Sequence, residues 1–157
     1  MTAATDPQST AVRCFREEDA AAIASITAQS PEAAAWPAAA FATRGPDGRR
    51  AWVATVGAAV EGFLLARAIS NECEILNLAV SRAWRRRGLG TLLLSEALEY
   101  ARRGGCRRCY VEVRASNQSG IEFYRRHGFI QVGRRRGYYQ EPPDDALVMV
   151  RAENNSP

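Results

Sequence analysis

Two short stretches of the chain bring together residue types that could do chemistry. In Arg85-Arg86-Arg87-Gly88-Leu89-Gly90, three consecutive arginines lead into a glycine pair. The run stands between an apolar segment, 74–80, and an amphipathic one, 89–103. A strand, a basic glycine turn and a helix in that order make a phosphate cradle. Glycine lets the backbone approach a ligand, and the helix N-terminus offers unpaired N–H groups at the positive end of its dipole. The spacing R-x-x-G-x-G matches neither the dinucleotide fingerprint G-x-G-x-x-G nor the P-loop. By itself a glycine pair marks a tight turn, and an arginine run is most often a solvated face. Its place at a strand-to-helix junction is what favours an anion site.

The second stretch is Val111-Glu112-Val113-Arg114-Ala115-Ser116-Asn117. Glu112 alternates with apolar residues, so its carboxylate projects from a sheet face with limited solvent. Burial raises a carboxyl pKa toward the range of a general base working near neutral pH. The same pattern would also be met by a glutamate paired with one of the many arginines. Asn117 can bond a ligand backbone or its own turn. Just downstream, Tyr124 lies in Gly120-Ile121-Glu122-Phe123-Tyr124-Arg125-Arg126-His127-Gly128, which reads as a short helix with a glycine stop. A phenol there can give a proton to a departing group, or can be a core aromatic whose hydroxyl finds a partner.

Positioning these residues requires a sheet. Strands are expected over 12–16, 51–56, 60–68, 74–80, 108–114, 130–136 and 146–152, with a hairpin turn at Gly57. Helices are expected over 17–29, 36–43, 89–103 and 119–127, with a turn at 44–48. In the third helix Leu89, Leu92, Leu93, Ala97 and Tyr100 fall near one face. The order predicts an α/β (α+β) domain, a mixed and mostly antiparallel sheet of about seven strands flanked by about four helices. Residues 1–157 read as one domain, with loose tails at 1–10 and 153–157.

With 46% hydrophobic and 24% charged residues, the 157-residue chain has an ordinary globular composition. No apolar run approaches the roughly 18 residues of a membrane helix, and the N-terminus lacks the features of a secretory signal, so a cytoplasmic protein without a membrane partner is expected. Cys106 and Cys109 form a C-x-x-C, yet the one histidine, His127, is distant and no zinc ligand set is evident, so no metal is expected. The formal charge of +4 comes from arginine clusters at 85–87, 102–103, 107–108, 125–126 and 134–136. These could serve RNA, but few aromatics interleave with them for base stacking, so direct nucleic-acid binding is the weaker reading.

The basic glycine turn resembles the pyrophosphate loop of the GNAT acyltransferase superfamily. The segments LNLAV, RRRGLG, EVRASN, FYRRHGF, RRRGYY and DALVM, spread over 77–149, resemble one branch of it, the RimI-type ribosomal-protein-alanine N-acetyltransferases. That resemblance implies a GNAT fold with acetyl-coenzyme A as cosubstrate and no metal. It also implies direct transfer to a protein N-terminal amine, such as the alanine of a ribosomal small-subunit protein. The sequence is silent on oligomeric state, with a monomer the favoured expectation. By the same resemblance, Leu78, Ala79 and Val80 line the acetyl-pantetheine arm with backbone groups, one N–H polarising the thioester carbonyl. Arg86, Arg87, Gly88, Leu89, Gly90 and Thr91 hold the pyrophosphate, Asn117 the pantetheine side, Glu112 is the general base and Tyr124 the general acid. A GNAT enzyme with another acceptor, such as a lysine or a small amine, would use the same pair. The chain departs from the branch in two places. Ala34-Ala35-Trp36 keeps only the tryptophan of an aromatic-proline-tryptophan motif. Glu141-Pro142-Pro143-Asp144-Asp145 replaces a Gly-Arg-Glu element. Both regions are expected to border the acceptor.

Overall fold

A computed structural model describes residues 8–33, 36–41 and 47–153. Seven strands form one sheet: β1 (Thr10–Cys14), β2 (Arg49–Val56), β3 (Ala59–Ile69), β4 (Glu72–Val80), β5 (Arg108–Arg114), β6 (Ile130–Gln140) and β7 (Pro143–Ala152). Their order is β1-β2-β3-β4-β5-β7-β6, and every neighbouring pair is antiparallel except β4 with β5. The helices among the described residues are α1 (Ala20–Ala28), α2 (Leu89–Arg103) and α3 (Gln118–Arg126). None is long and apolar enough to cross a membrane.

The fold is the expected one, with local corrections. Of the helix expected over 36–43, the described part is a single 3-10 turn, Ala38–Ala40; Pro37 and the downstream Arg44-Gly45-Pro46 leave too few residues to repay helix nucleation. The helix expected from residue 17 opens instead as a 3-10 turn, Glu17–Asp19. There Asp19 turns back to accept the Arg16 N–H at 2.8 Å and to grip Arg13 with both oxygens at 2.8 and 2.9 Å. Thr10, expected in a loose tail, opens β1, and the Glu153 N–H is tied to the Arg107 carbonyl at 2.7 Å. Of the turn expected at 44–48, residues 44–46 lie outside the described residues.

Two apolar layers cover the sheet. On one face α2 and α3 pack over Trp52, Leu64, Ile75 and Val111; on the other α1 packs over Val53, Phe63, Leu65 and Ala79. Helix α2 buries Leu89, Leu93, Leu94, Ala97, Leu98 and Ala101. Leu92 and Tyr100, expected on that stripe, are 42% and 36% exposed. The stripe runs along the 93-97-101 and 94-98 rows, and Tyr100 sits at its rim, edge-on to Trp52 at 5.4 Å. In β4 the pairing with β3 skips one residue: Leu65 opposes Asn77 and Ala66 opposes Ile75, so Leu76 is a bulge. The extra residue reverses the strand's parity. Ile75 therefore faces α2, and Ala79 faces α1.

Candidate active site

The parallel ladder between β4 and β5 runs only from Glu72–Ile75 against Arg108–Val111. Beyond it β4 continues to Val80 and β5 to Arg114 without pairing to each other. The facing backbone edges there have no partner strand, which in a protein interior calls for a ligand or water. A cavity of about 890 Å³ occupies this slot. Its walls are the free ends of β4 and β5, the turn after β4, the inner face of α3, and Tyr139.

The turn is shaped to receive an anion. Arg86 has φ +60° and Gly88 has φ +90°, two left-handed residues that bracket Arg87. Alternating hands turn successive N–H groups toward one side. A left-handed arginine carries strain on the order of 1–3 kcal/mol, which marks the turn as a functional outlier. An added Cβ at Gly88 would meet nothing within 4 Å, so the space in front of the turn is open. At Gly90 a Cβ would come within 3.3 Å of the Phe123 ring, so this glycine lets α3 close against the helix start. The first N–H groups of α2 follow, free of intrahelical partners. Backbone donors, a helix N-terminus and an arginine in an open cradle fit a pyrophosphate.

Most of the expected residues converge here. Leu78, Ala79, Val80, Arg86, Gly88, Gly90, Thr91, Glu112, Asn117 and Tyr124 all line the cavity. Arg87 and Leu89 do not: the Arg87 guanidinium lies 4.9 Å from the Trp84 ring centre, and the Leu89 side chain is buried in the core. The Asn117 side-chain oxygen caps α3, accepting from the Gly120 N–H at 3.0 Å and the Ser119 hydroxyl at 3.2 Å. Asn117 thus serves its own turn while also facing the cavity.

Glu112 projects from the α1 side of β5, opposite in parity to the core residues Val111 and Val113. Its side chain is 19% exposed, and its Oε1 lies 3.0 Å from Arg135 Nε. Interaction with this carboxylate, together with burial, holds the Tyr138 phenol above its ordinary pKa. Tyr124 comes from α3 on the other face, packed edge-on against Phe123 and Phe129 with ring centres 5.2 and 5.3 Å away. Burial pushes its phenol well above the usual value, so the hydroxyl keeps its proton throughout the neutral range.

Three contributors to the site left little trace in the sequence. Arg85 opens the basic motif and lines the cavity, yet its guanidinium is committed to the protein itself. Its guanidinium donates to the Gln29 carbonyl at 2.9 Å, the Ser30 hydroxyl at 3.0 Å and the Val80 carbonyl at 3.2 Å. It pins the end of α1 to the end of β4. Arg135 and Tyr138 reach Glu112 across the hairpin of β6 and β7, a contact only register could reveal. The C-x-x-C is inert by geometry. Cys106 and Cys109 are buried free thiols, and Cys109 sits opposite Cys73 at the parallel junction. A hydrogen bond with Cys73 and burial push the Cys109 thiol up. No cluster of three or more metal-ligating side chains occurs among the described residues.

Residues 11–129 match the model of the acetyltransferase (GNAT) family. The chain belongs to the GNAT family. It is an N-acetyltransferase, and members of its family draw acetyl from acetyl-coenzyme A. Over 121 residues it is 36% identical to the N-alpha-acetyltransferase RimI of Mycobacterium tuberculosis, covering 74% of this chain and 75% of that one. It is 33% identical over 90 residues to the ribosomal protein bS18-alanine N-acetyltransferase of Salmonella typhimurium. That match covers 56% of this GNAT chain and 61% of the Salmonella enzyme. The crystal structure of the ribosomal-protein-S18-alanine N-acetyltransferase from Escherichia coli superposes with a TM-score of 0.77 at 25% identity, covering 95% of this chain and 99% of that one. Arabidopsis thaliana NAA60, 22% identical, shares the fold with a TM-score of 0.80 over 94% of this chain and 100% of that one.

Proposed function

We propose that this enzyme moves acetyl from acetyl-coenzyme A to the N-terminal α-amine of a protein, the N-terminal alanine of a ribosomal small-subunit protein being the acceptor. The observation that carries the reading is the slot between the splayed ends of β4 and β5, with the open cradle at one end and Glu112 and Tyr124 on its two sides. The relatives named for alanine acetylation support the acceptor. Acetyl-coenzyme A supplies a thioester carbonyl that a neutral amine attacks once the two are held together. Arg86, the Gly88–Gly90 backbone and Thr91 hold the pyrophosphate. Backbone groups of Leu78, Ala79 and Val80 line the acyl end, where an N–H stabilises charge developing on the carbonyl oxygen. Glu112 takes the proton of the α-ammonium, and Tyr124 returns one to the leaving sulfur. A reference α-amine pKa of about 7.7–8.0, against about 10.4 for a lysine, makes the N-terminus the easier substrate for a carboxylate.

The test is a thiol-release assay with acetyl-coenzyme A and three acceptor classes. These are peptides that copy the alanine-starting ribosomal terminus, internal-lysine peptides and small amines. Turnover concentrated on the alanine-starting peptide is expected. Turnover concentrated on lysine or a small amine would overturn the acceptor and keep the chemistry.

A further inference from the structure

The slot has an apolar face and a polar one. Ile75 and Val111 form the last rung of the parallel ladder, and both line the cavity while each is only 3% exposed. With Leu78, Val113 and Tyr124 they make the wall on the side of α2 and α3. Among these five side chains only Tyr124 carries a polar atom. Glu112 and Asn77 belong to the other face, Glu112 by its parity on β5 and Asn77 because it opposes Leu65 of the α1 layer. The floor of the apolar side is closed. Val111 pairs with Met149 on β7, and Cys109 stands two residues back on the same face; both are 0% exposed. At a ladder rung, strands stand about 4.8 Å apart, too close for a further chain to pass between them.

The β4 backbone sets the direction in which a donor lies. The Ser81 N–H donates to the Glu61 carbonyl at 2.8 Å, so Ser81 faces β3. Alternation then turns the backbone groups of Val80 and Leu78 into the slot. Arg85 Nε, reaching the Val80 carbonyl at 3.2 Å, occupies the end next to the cradle. Of the two slot-facing N–H groups, that of Leu78 lies farther from the cradle and nearer the rung. A thioester whose carbonyl accepts from it, with the pyrophosphate at the Gly88–Gly90 turn, carries its acyl tail onward to Ile75 and Val111. We propose that Val111, together with Ile75, determines acyl-chain length: the closed floor admits an acetyl group and turns longer acyl chains away. The selection is steric, because one surplus methylene against a close-packed wall forces side chains off their rotamers. The inference rests on the coenzyme half of the proposed reaction and is independent of which amine accepts.

The experiment measures kcat/KM by thiol release with acetyl-, propionyl- and butyryl-coenzyme A on one amine acceptor. It uses the wild-type enzyme, Val111→Ala and Val111→Leu. A pocket that rejects one methylene discriminates by about 10- to 200-fold, so wild type is expected to favour acetyl over propionyl by about tenfold and over butyryl by more. Val111→Ala should bring the acetyl-to-propionyl ratio down toward one. Val111→Leu should lower turnover of acetyl-coenzyme A by about tenfold, while affinity for free coenzyme A, which has no acyl tail, stays within about twofold. Wild type that uses butyryl as well as acetyl overturns the proposal, whether or not the variants fold. A Val111→Ala enzyme that loses the same factor on all three donors overturns it too, since that is what a purely structural role requires. Calorimetric affinities of the three donors make the same comparison without an acceptor. A protein that binds them in the expected ratios and acetylates no alanine-starting peptide keeps this inference and loses the acceptor reading. One that binds no acyl-coenzyme A loses both.

Discussion

The sharpest perturbation of the proposed chemistry is Glu112→Gln. The amide keeps the shape of the side chain, so the loss isolates charge and basicity. A positioned general base is worth on the order of 10²–10³ in rate, or about 3–4 kcal/mol of barrier. The deficit should itself depend on pH, because a variant without the base must wait for amine that is already neutral. With a reference pKa near 7.8, about 14% of an α-amine is neutral at pH 7 and about 94% at pH 9. The deficit in kcat/KM is therefore expected to narrow by roughly sevenfold across that interval. Glu32 and Glu122 also line the cavity, but both are exposed and neither stands on the β5 face, so neither is placed to take over. Acetyl-coenzyme A affinity, measured by calorimetry, should stay within about twofold, since Glu112 lies off the cradle. Full activity from pH 6 to 9 would refute the assignment. A large deficit that stays flat with pH would mean that Glu112 orients the amine without deprotonating it.

Further outcomes follow from the same geometry. Tyr124→Phe should lower kcat by on the order of tenfold to a hundredfold on thioester substrates, measured by thiol release. Because burial raises the Tyr124 pKa, its phenol is protonated below that raised value, so wild type should show no loss of kcat on the alkaline side up to about pH 10 from this group. Gly88→Trp should fill the open cradle and abolish acetyl-coenzyme A binding in calorimetry. Gly88→Ala meets no neighbour and should cost only the strain of φ +90°, about 1 kcal/mol in a denaturant melt. Arg85→Ala removes three bonds between the end of α1 and β4, and should cost about 2 kcal/mol of stability. Asp19 is gripped by Arg13, which lowers its pKa; a depressed carboxyl contributes stability present above its unfolded pKa and lost as pH falls through the folded value. Asp19→Asn should therefore cost about 2–3 kcal/mol at neutral pH and progressively less as pH falls below the ordinary carboxylate range, read from denaturant midpoints across that range.

What the sequence made legible was local. The alternation in 108–114 placed Glu112 opposite Val111 and Val113, and the basic glycine run announced the cradle at the start of α2. Both signals are written in neighbouring residues. The Leu76 bulge was not legible, because one extra residue in a strand leaves the hydrophobic pattern of 72–80 nearly unchanged and shows only against β3. Arg85 was grouped with its neighbours by type, although its partners Gln29 and Ser30 lie more than 50 positions away. β6 and β7 reach beyond the expected 130–136 and 146–152, past Gly137, Pro142 and Pro143, which are poor strand formers. In the sheet they sit at an irregular, exposed edge, where glycine and proline are tolerated. That extension matters, since it carries Tyr138 and Tyr139 to the site.

Glu112 and Tyr124, the two groups proposed to carry protons, occupy opposite faces of the sheet, and this arrangement follows from one strand's parity and one strand's early end. Along β5 the core residues Cys109, Val111 and Val113 point toward α2 and α3, so Glu112 must point the other way. Tyr124 rides on α3 and is packed among those same core residues. In a continuous sheet a base and an acid so placed would be separated by a backbone layer, and no substrate could touch both. The ladder between β4 and β5 stops at Ile75 and Val111, one residue before Glu112, and the slot opens where the two faces must communicate. In the proposed reaction, an acceptor arriving on the Glu112 face and a thioester lying toward the Tyr124 face meet in the plane of the sheet. Re-pairing the slot would close the route without touching either side chain, so the proposed reaction depends on the splay as much as on the two groups.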